Sequence, residues 1–528
     1  MALTKVSYSM IVGEQSNVLD FGADATGLTS STAAFDLTNS AATGIVIPKG
    51  TYLVSTNCTF TVPVTIEYGA VITIPNGIIL TFNGGVDAGV YQCFNCTGTG
   101  SVKIGAKTPI VYAEWWGTTN DGSSNDGIAI QAACDALSPA GGIVQLLNRK
   151  YYISALITVT TQALTIQGTT LGLSPYDYGS GGPWGTQIVG TNGVNGIRVY
   201  NIGYFSLKNV EMYLPVGANT ACYGLLLDSC FLAKVDDCRI NNYSTAIKMI
   251  VCTDVYINRC YLASVGVTVS PVIGVDIDGT TTQNASIFVQ QCIAAHSSYV
   301  TTAYGYYLHG DRINDVYMDS CEANFCTSGF YVDGSLVDVG YGADIHFRGC
   351  SADGGVVGFD INSLAVDSAC EIINGWAASS SINVFIGYSS ARVRVSGMQL
   401  YGGTSGVVAQ DSSQMIITDN FILYPSTNGI LIATCPATIV SNNQGFQKTA
   451  SGANFISLTA STYCSVGNNI ANASIAAGWA YGIIANIGSN YLSVVGNSMP
   501  LGGAITTPYT LNLSSNTGTY FAGTGTPN

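Results

Sequence analysis

A short unit that returns every 22–32 residues from about residue 200 onward constrains this chain more than anything else in it. One element of the unit reads apolar-x-apolar-x-x-Cys. It occurs as Val255-Tyr-Ile257-Asn-Arg-Cys260, Ile287-Phe-Val289-Gln-Gln-Cys292, Val316-Tyr-Met318-Asp-Ser-Cys321 and Ile345-His-Phe347-Arg-Gly-Cys350, with Val235-Asp-Asp-Cys238 ahead of them. The same slot then reads Trp376, Met398, Asn420, Asn442, Asn469 and Asn497. A second element, Gly-apolar-x-apolar, precedes it at Gly224, Gly274, Gly305, Gly329, Gly358, Gly406, Gly429 and Gly482. Two short period-2 strands per unit, repeated about eleven times, predict an all-β parallel solenoid of about eleven or more coils.

Strand residues alternate in and out, so a slot residue stacks on its own counterpart in the next coil. The stacked cysteines then read as buried thiols behaving as small apolar groups. The later asparagines read as an amide ladder in which each side chain bonds to the next coil. Sixteen cysteines in a long chain do not by themselves imply disulfides. Cys93 and Cys96 form a CxxC, but no second Cys or His pair lies near enough to complete a zinc site. Neither a metal nor a cofactor is expected.

Only 9% of residues are charged, and acidic residues outnumber basic ones 31 to 17. A net charge of −14 without any run of Lys or Arg argues against nucleic acid and against an anionic membrane surface. No stretch approaches the length of apolar residues a membrane helix needs, and the opening MALTKVSYSMIVGEQ lacks the apolar core of a signal peptide. With 31 Tyr and 62 Gly, the surface must be built from turns, hydroxyls and aromatic rings rather than charges.

Solenoid ends need caps. Residues 125–137, NDGIAIQAACDAL, carry apolar positions at helical spacing after an Asn/Asp start and predict a capping helix. A degenerate copy lies upstream in VLDFGADATG (18–27), STAAFDL (31–37) and GIVIPKGTYLVS (44–55). The organisation expected is a short attachment peptide at 1–17, a small β-rich head at 18–112, a β-helix at 113–500 and a C-terminal cap or tail at 501–528.

VLDFGADATG…TAAF…IPKGTYLVS and EWWGTTNDGSSNDGIAIQAACDA (114–136) resemble the pectate-lyase-superfamily motif of bacteriophage tailspikes and capsular polysaccharide depolymerases. LTFNGGVDAGVYQCF (80–94) is similar to the tailspike head that leads into such a motif. The resemblance covers roughly residues 1–160. It implies a right-handed parallel β-helix, a homotrimer, a place on the phage tail in the virion, and recognition or cleavage of a bacterial surface polysaccharide. It carries over no catalytic residue. Residues 1–17 are expected to dock on another tail protein.

The registers locate a site. Outward positions after each Gly element form one row, Asp228, Ile250, Asp278, His309, Asp333 and Asn362, beside another, Leu226, Lys248, Asp276, Tyr307, Tyr331 and Asp360. Asp278, His309 and Asp333 thus fall on three consecutive rungs, although the whole chain has only three histidines. Two rungs put the aspartates about 9–10 Å apart, at the upper end of the separation used by inverting glycosidases. Asp278 and Asp333 are therefore expected as the acid–base pair, with His309 tuning them. Tyr307 and Tyr331 would stack on sugar, and Asp276, Asp311 and Asp360 would bond to hydroxyls.

A further row on the Cys-element strand reads Lys234, Tyr256, Phe288, Tyr317 and His346, beside Asp236, Asn258, Gln290, Asp319 and Arg348. Asp319, Arg348, Tyr317 and His346 suit a carbohydrate groove, and the same aromatic row suits a subunit contact. Three readings remain: an endo-acting glycosidase, a lyase using Arg348, His346 and Tyr317 on a uronate, or a spike that binds without cutting.

Overall fold

Each coil turns at a fixed place, where one residue adopts left-handed backbone. Arg259, Gln291, Ser320, Asn374, Asp419, Asn442 and Asn468 all have φ between 51° and 59°, a region that L-residues enter only singly. These residues end one strand and aim the chain into the next, and the slot residue follows each of them.

The computed structural model describes residues 15–119, 123–170, 185–215, 217–281, 283–296, 302–334, 343–364, 367–379, 381–448, 452–473, 478–499, 505–511 and 520–522. Most of the expected attachment peptide lies outside them. Among the described residues the fold is a right-handed parallel β-helix of about 17 turns with two α-helices. Two compact units are distinguished, Met1–Pro215 with Ser229–Arg239 and Val216–Asp228 with Ile240–Asn528.

In the first unit, residues 16–104 already coil. Ile45–Ile47 pairs with Val64–Ile66, and Gly50–Leu53 with Ala70–Ile74, all parallel. The coil period there is 22 residues, as in the bond from Ile79 N–H to Asn57 Oδ1. A spine of Phe35, Phe60, Phe82 and Phe94 fills the interior, with ring centroids 5.1–5.7 Å apart. The expected helix is present at Gly127–Ala136, and its upstream counterpart spans Thr32–Ala41. The Cys and Asn slots begin only later, which is why counting them gives eleven coils and not 17.

The second unit stacks its strands into three sheets, so each coil carries three strands instead of the two read from the sequence. The third is short: Tyr261–Ser264, Ile293–His296, Glu322–Asn324 and Ser351–Asp353 follow directly on the slot residues. Three or four residues are too few to display a period, so this strand leaves no pattern to read. The slot itself behaves as expected. Cys260, Cys292, Cys321 and Cys350 are buried, and every cysteine of the chain is a free thiol. Burial holds the Cys350 thiol well above its ordinary pKa.

The thiols and the amides do one job. Cys292 Sγ donates to Ile257 O at 3.5 Å and Cys350 Sγ to Met318 O at 3.4 Å, each in the preceding coil. Further along, Asn420 Nδ2 donates to Val395 O and Asn443 Nδ2 to Ile417 O, both at 3.0 Å. The amides also link to one another. Asn420, Asn443 and Asn469 each donate from Nδ2 to the next Oδ1, the last reaching Asn497, at 2.9 Å in every step. Two slot assignments shift by one residue. Asn443, not Asn442, is in the ladder, because Asn442 is the left-handed corner (φ 57°). Gly375, not Trp376, follows Cys350, because Ser351 pairs with Trp376.

Candidate active site

Five consecutive strands of one sheet carry the face: Thr245–Ile250, Val272–Asp278, Ala303–His309, Ser328–Asp333 and Val357–Asn362. Their registers align Lys248, Asp276, Tyr307, Tyr331 and Asp360 in one row and Ile250, Asp278, His309, Asp333 and Asn362 in the next. Both rows read from the sequence therefore stand as aligned, because inward Val275, Ile277, Tyr306, Leu308, Phe330, Val332, Phe359 and Ile361 fix the alternation. Inside, Tyr306, Phe330 and Phe359 stack at 4.8 and 4.7 Å, nearly parallel, and hold these rungs in register.

On the outside the polar groups divide into two clusters. Lys248 Nζ lies 3.1 Å from Asp276 Oδ2 and 2.9 Å from Asp278 Oδ2. It fills the position between these two carboxylates that a bound cation would need. Burial works to lower the Lys248 ammonium's pKa, but Asp276 and Asp278 outweigh it and hold it above the usual value. Asp278 also accepts from the Thr280 hydroxyl at 2.6 Å and the Thr280 N–H at 3.1 Å. Burial alone would raise this carboxyl, yet the Thr280 and Lys248 contacts prevail and bring it to about 2. Asp276 is nearly inaccessible and accepts from His309 Nε2 at 2.9 Å. The imidazole is thus fixed by a buried carboxylate through one nitrogen.

The second cluster surrounds Asp360. The buried Ser328 hydroxyl donates to Asp360 Oδ2 at 2.8 Å and Asn362 Nδ2 donates to Oδ1 at 2.7 Å. Burial nevertheless raises the Asp360 carboxyl above its ordinary range, and the charge of Asp333 on the neighbouring rung adds to the rise. Asn362 Oδ1 has no hydrogen-bond partner among the described residues. Between the clusters lies an aromatic platform. Tyr307 stacks on Tyr331 at 5.1 Å and on His309 at 4.3 Å, and Tyr304 closes a triangle at 4.9 and 5.0 Å. Burial, followed by Asp333, pushes the Tyr307 hydroxyl up to about 12 and Tyr331 higher still, so both remain hydrogen-bond donors.

Tyr304 is the member that the sequence rows miss. It precedes Gly305 and falls outside the alternation that defines them, although the run Ala303-Tyr-Gly-Tyr-Tyr307 marks an unusual density of rings. Asp311 stands in the turn after His309, paired with Arg312 at 3.7 Å.

The other expected residues lie on a different sheet. Tyr256, Phe288, Tyr317 and His346 stack at 4.9, 5.3 and 4.8 Å with planes within 9°. Phe288 and Tyr317 each face a ring on both sides, as Tyr307 does between His309 and Tyr331. His346 Nε2 lies 2.9 Å from Asp344 Oδ1 and its Nδ1 lies 3.0 Å from Glu371 Oε2. Arg348 and Arg394 both approach Glu371 at 3.9 Å. Asp319 is exposed and accepts from Ser320 Oγ at 3.2 Å. No group of three or more His, Cys, Asp or Glu among the described residues could hold a metal ion, and no described helix is long and apolar enough to cross a membrane.

Solved structures share the fold. The tailspike of E. coli bacteriophage HK620, a double mutant in complex with a pentasaccharide, matches at 11% identity with a TM-score of 0.50, covering 75% of this chain and 77% of that one. The A-module of Azotobacter vinelandii mannuronan C-5 epimerase AlgE4 is 14% identical with a TM-score of 0.43, covering 77% and 98%. Tailspike protein 3 of bacteriophage CBA120 is 12% identical with a TM-score of 0.43, covering 79% and 62%. No protein-family model and no curated protein sequence matches the chain.

Proposed function

We propose that this chain is a tailspike that binds a bacterial surface polysaccharide, capsule or O-antigen, and cuts it within the chain by glycosidic hydrolysis. One observation carries the reading: burial and the neighbouring charge of Asp333 raise the proton affinity of Asp360 beside an aromatic platform. A carboxyl whose proton affinity is raised by burial and by a neighbouring carboxylate suits the role of general acid, with that neighbour as its partner. Asp360 would protonate the leaving oxygen and Asp333 would activate water or attack. This modifies the expectation that Asp278 partners Asp333. Both oxygens of Asp278 are engaged and its pKa of about 2 makes it a poor proton donor. Its role, with Lys248 and Asp276, would be to hold His309 against the platform. Tyr304, Tyr307 and Tyr331 would seat the sugar.

The pentasaccharide bound by the HK620 tailspike, a chain of the same fold, supports a glycan ligand. Homotrimer formation, a place on the phage tail and attachment through residues 1–17 belong to the same proposal. A lyase acting through Tyr317, His346 and Arg348 is the second reading, favoured by the closely held His346 beside two arginines. Purified capsule or O-antigen incubated with the protein separates the readings. New reducing ends without unsaturated uronate support hydrolysis, unsaturated uronate supports the lyase, and unchanged polymer length supports a binding spike.

A further inference from the structure

Charge along the face has a consequence for what it can hold. The two outward rows, followed from Leu226 and Asp228 to Phe385 and Gly387, contain five Asp, one Lys, one His and no Arg. The single lysine is spent on Asp276 and Asp278. The His309 ring is committed through Nε2 to Asp276. Segments that lead into and out of these strands add no counter-charge: residues 265–271, 279–283, 297–302 and 334–343 contain no Lys or Arg. Arg312 is the one cation in the turn after His309, where it donates to Thr281 O at 2.7 Å and faces Asp311.

Resting on the glycosidase reading, we infer that the glycan units lying between Asp276 and Asp360 are uncharged or amino-bearing sugars and carry no carboxylate, phosphate or sulfate. An ionised carboxylate such as Asp333 accepts hydrogen bonds and cannot donate them, and Asp360 spends its proton on the leaving oxygen, so the face matches the hydroxyls of a neutral sugar or an ammonium. An acidic sugar brings acceptors to acceptors, and like charges brought together oppose both approach and binding. The three rung steps from Asp276 to Asp360 extend about 14 Å, so the exclusion covers several sugar units. A uronate-directed lyase or epimerase needs a cation to neutralise its substrate's carboxylate, and these two rows leave none uncommitted.

The test takes a panel of purified bacterial capsular polysaccharides and O-antigens of known structure, each acidic member also supplied after chemical reduction of its carboxyls to alcohols. Retention in affinity electrophoresis reads binding, and release of reducing ends reads cleavage. Neutral and amino-bearing members are expected to be retained, and carboxyl reduction should strengthen the retention of an acidic member about tenfold or more. Retention of an acidic polymer that weakens on carboxyl reduction overturns the inference. So does retention of no member at all. Retention of neutral members without cleavage by the wild-type protein sinks the glycosidase reading and leaves the charge preference standing.

Discussion

Asp333 and Asp360 stand diagonally on neighbouring rungs, and the charge of one adds to burial in lifting the pKa of the other. Catalysis with Asp360 as acid requires its protonated form, so the rate should fall as pH rises through that elevated pKa. Replacing Asp333 by Asn removes the neighbouring charge. The alkaline limb of the residual activity should then move to lower pH. A limb that stays in place in Asp333→Asn would show that the two carboxyls are not coupled.

Lys248 and Asp278 differ in what their loss exposes. Lys248→Met leaves the nearly inaccessible Asp276 carboxylate without its lysine and held only by the His309 Nε2 bond, and losing a charge-assisted partner at a buried carboxylate typically costs about 1–3 kcal/mol. Asp278→Asn keeps Asp276 paired and should cost less. Chemical denaturation of the two variants checks the order, and equal losses would contradict the clamp. Asp278 has its folded pKa depressed to about 2. Its contribution is therefore complete above the unfolded value near 3.8 and disappears as pH falls through about 2.

His296 sets a second, milder pH window. It is buried, accepts or donates through Nε2 at Tyr304 O (3.0 Å), and burial lowers its pKa from 6.5 to about 4. The folded state thus disfavours the imidazolium that the unfolded chain forms readily. Stability is present in full above about pH 6.5 and declines as pH falls toward 4, by an amount on the order of 3 kcal/mol. A His296→Asn variant should lose this slope, whatever its absolute stability. Melting temperature recorded between pH 7 and pH 4 for both proteins is the measurement, and identical slopes would refute the assignment.

The rows of the site were legible because glycine and cysteine mark each coil and strand alternation does the rest, which is why Asp276, Tyr307, Tyr331 and Asp360 align as read. What alternation cannot show is how a side chain leans across its row. His309 turns to Asp276 on the adjacent strand, and Lys248 bridges two aspartates in the next rung. Those choices depend on side-chain length and on competing partners such as Thr280. The two slot errors have a local cause: Asn374 and Asn442 occupy left-handed corners, and a one-residue shift there leaves the spacing almost unchanged.

The asparagine ladder should be far less tolerant than the outer rows. Asn443 accepts from the Asn420 N–H at 3.1 Å and from its Nδ2 at 2.9 Å, while donating to Ile417 O and Asn469 Oδ1. Asn443→Ala leaves several of these buried groups without partners, at about 1–3 kcal/mol for each. An exposed substitution such as Asp319→Ala should stay within about 0.5 kcal/mol. Comparable losses in the two variants would mean that the ladder does not stabilise the coils.

The central claim, that Asp360 and Asp333 carry out hydrolysis on this face, is tested most directly by reducing-end release from a purified polysaccharide that the wild-type protein cuts. The account predicts that Asp360→Asn and Asp333→Asn each keep the wild-type melting behaviour and lose about 10²–10⁴ in rate, whereas Asp319→Ala on the other sheet cuts normally. Folded Asp360→Asn and Asp333→Asn proteins that release reducing ends at the wild-type rate would contradict it.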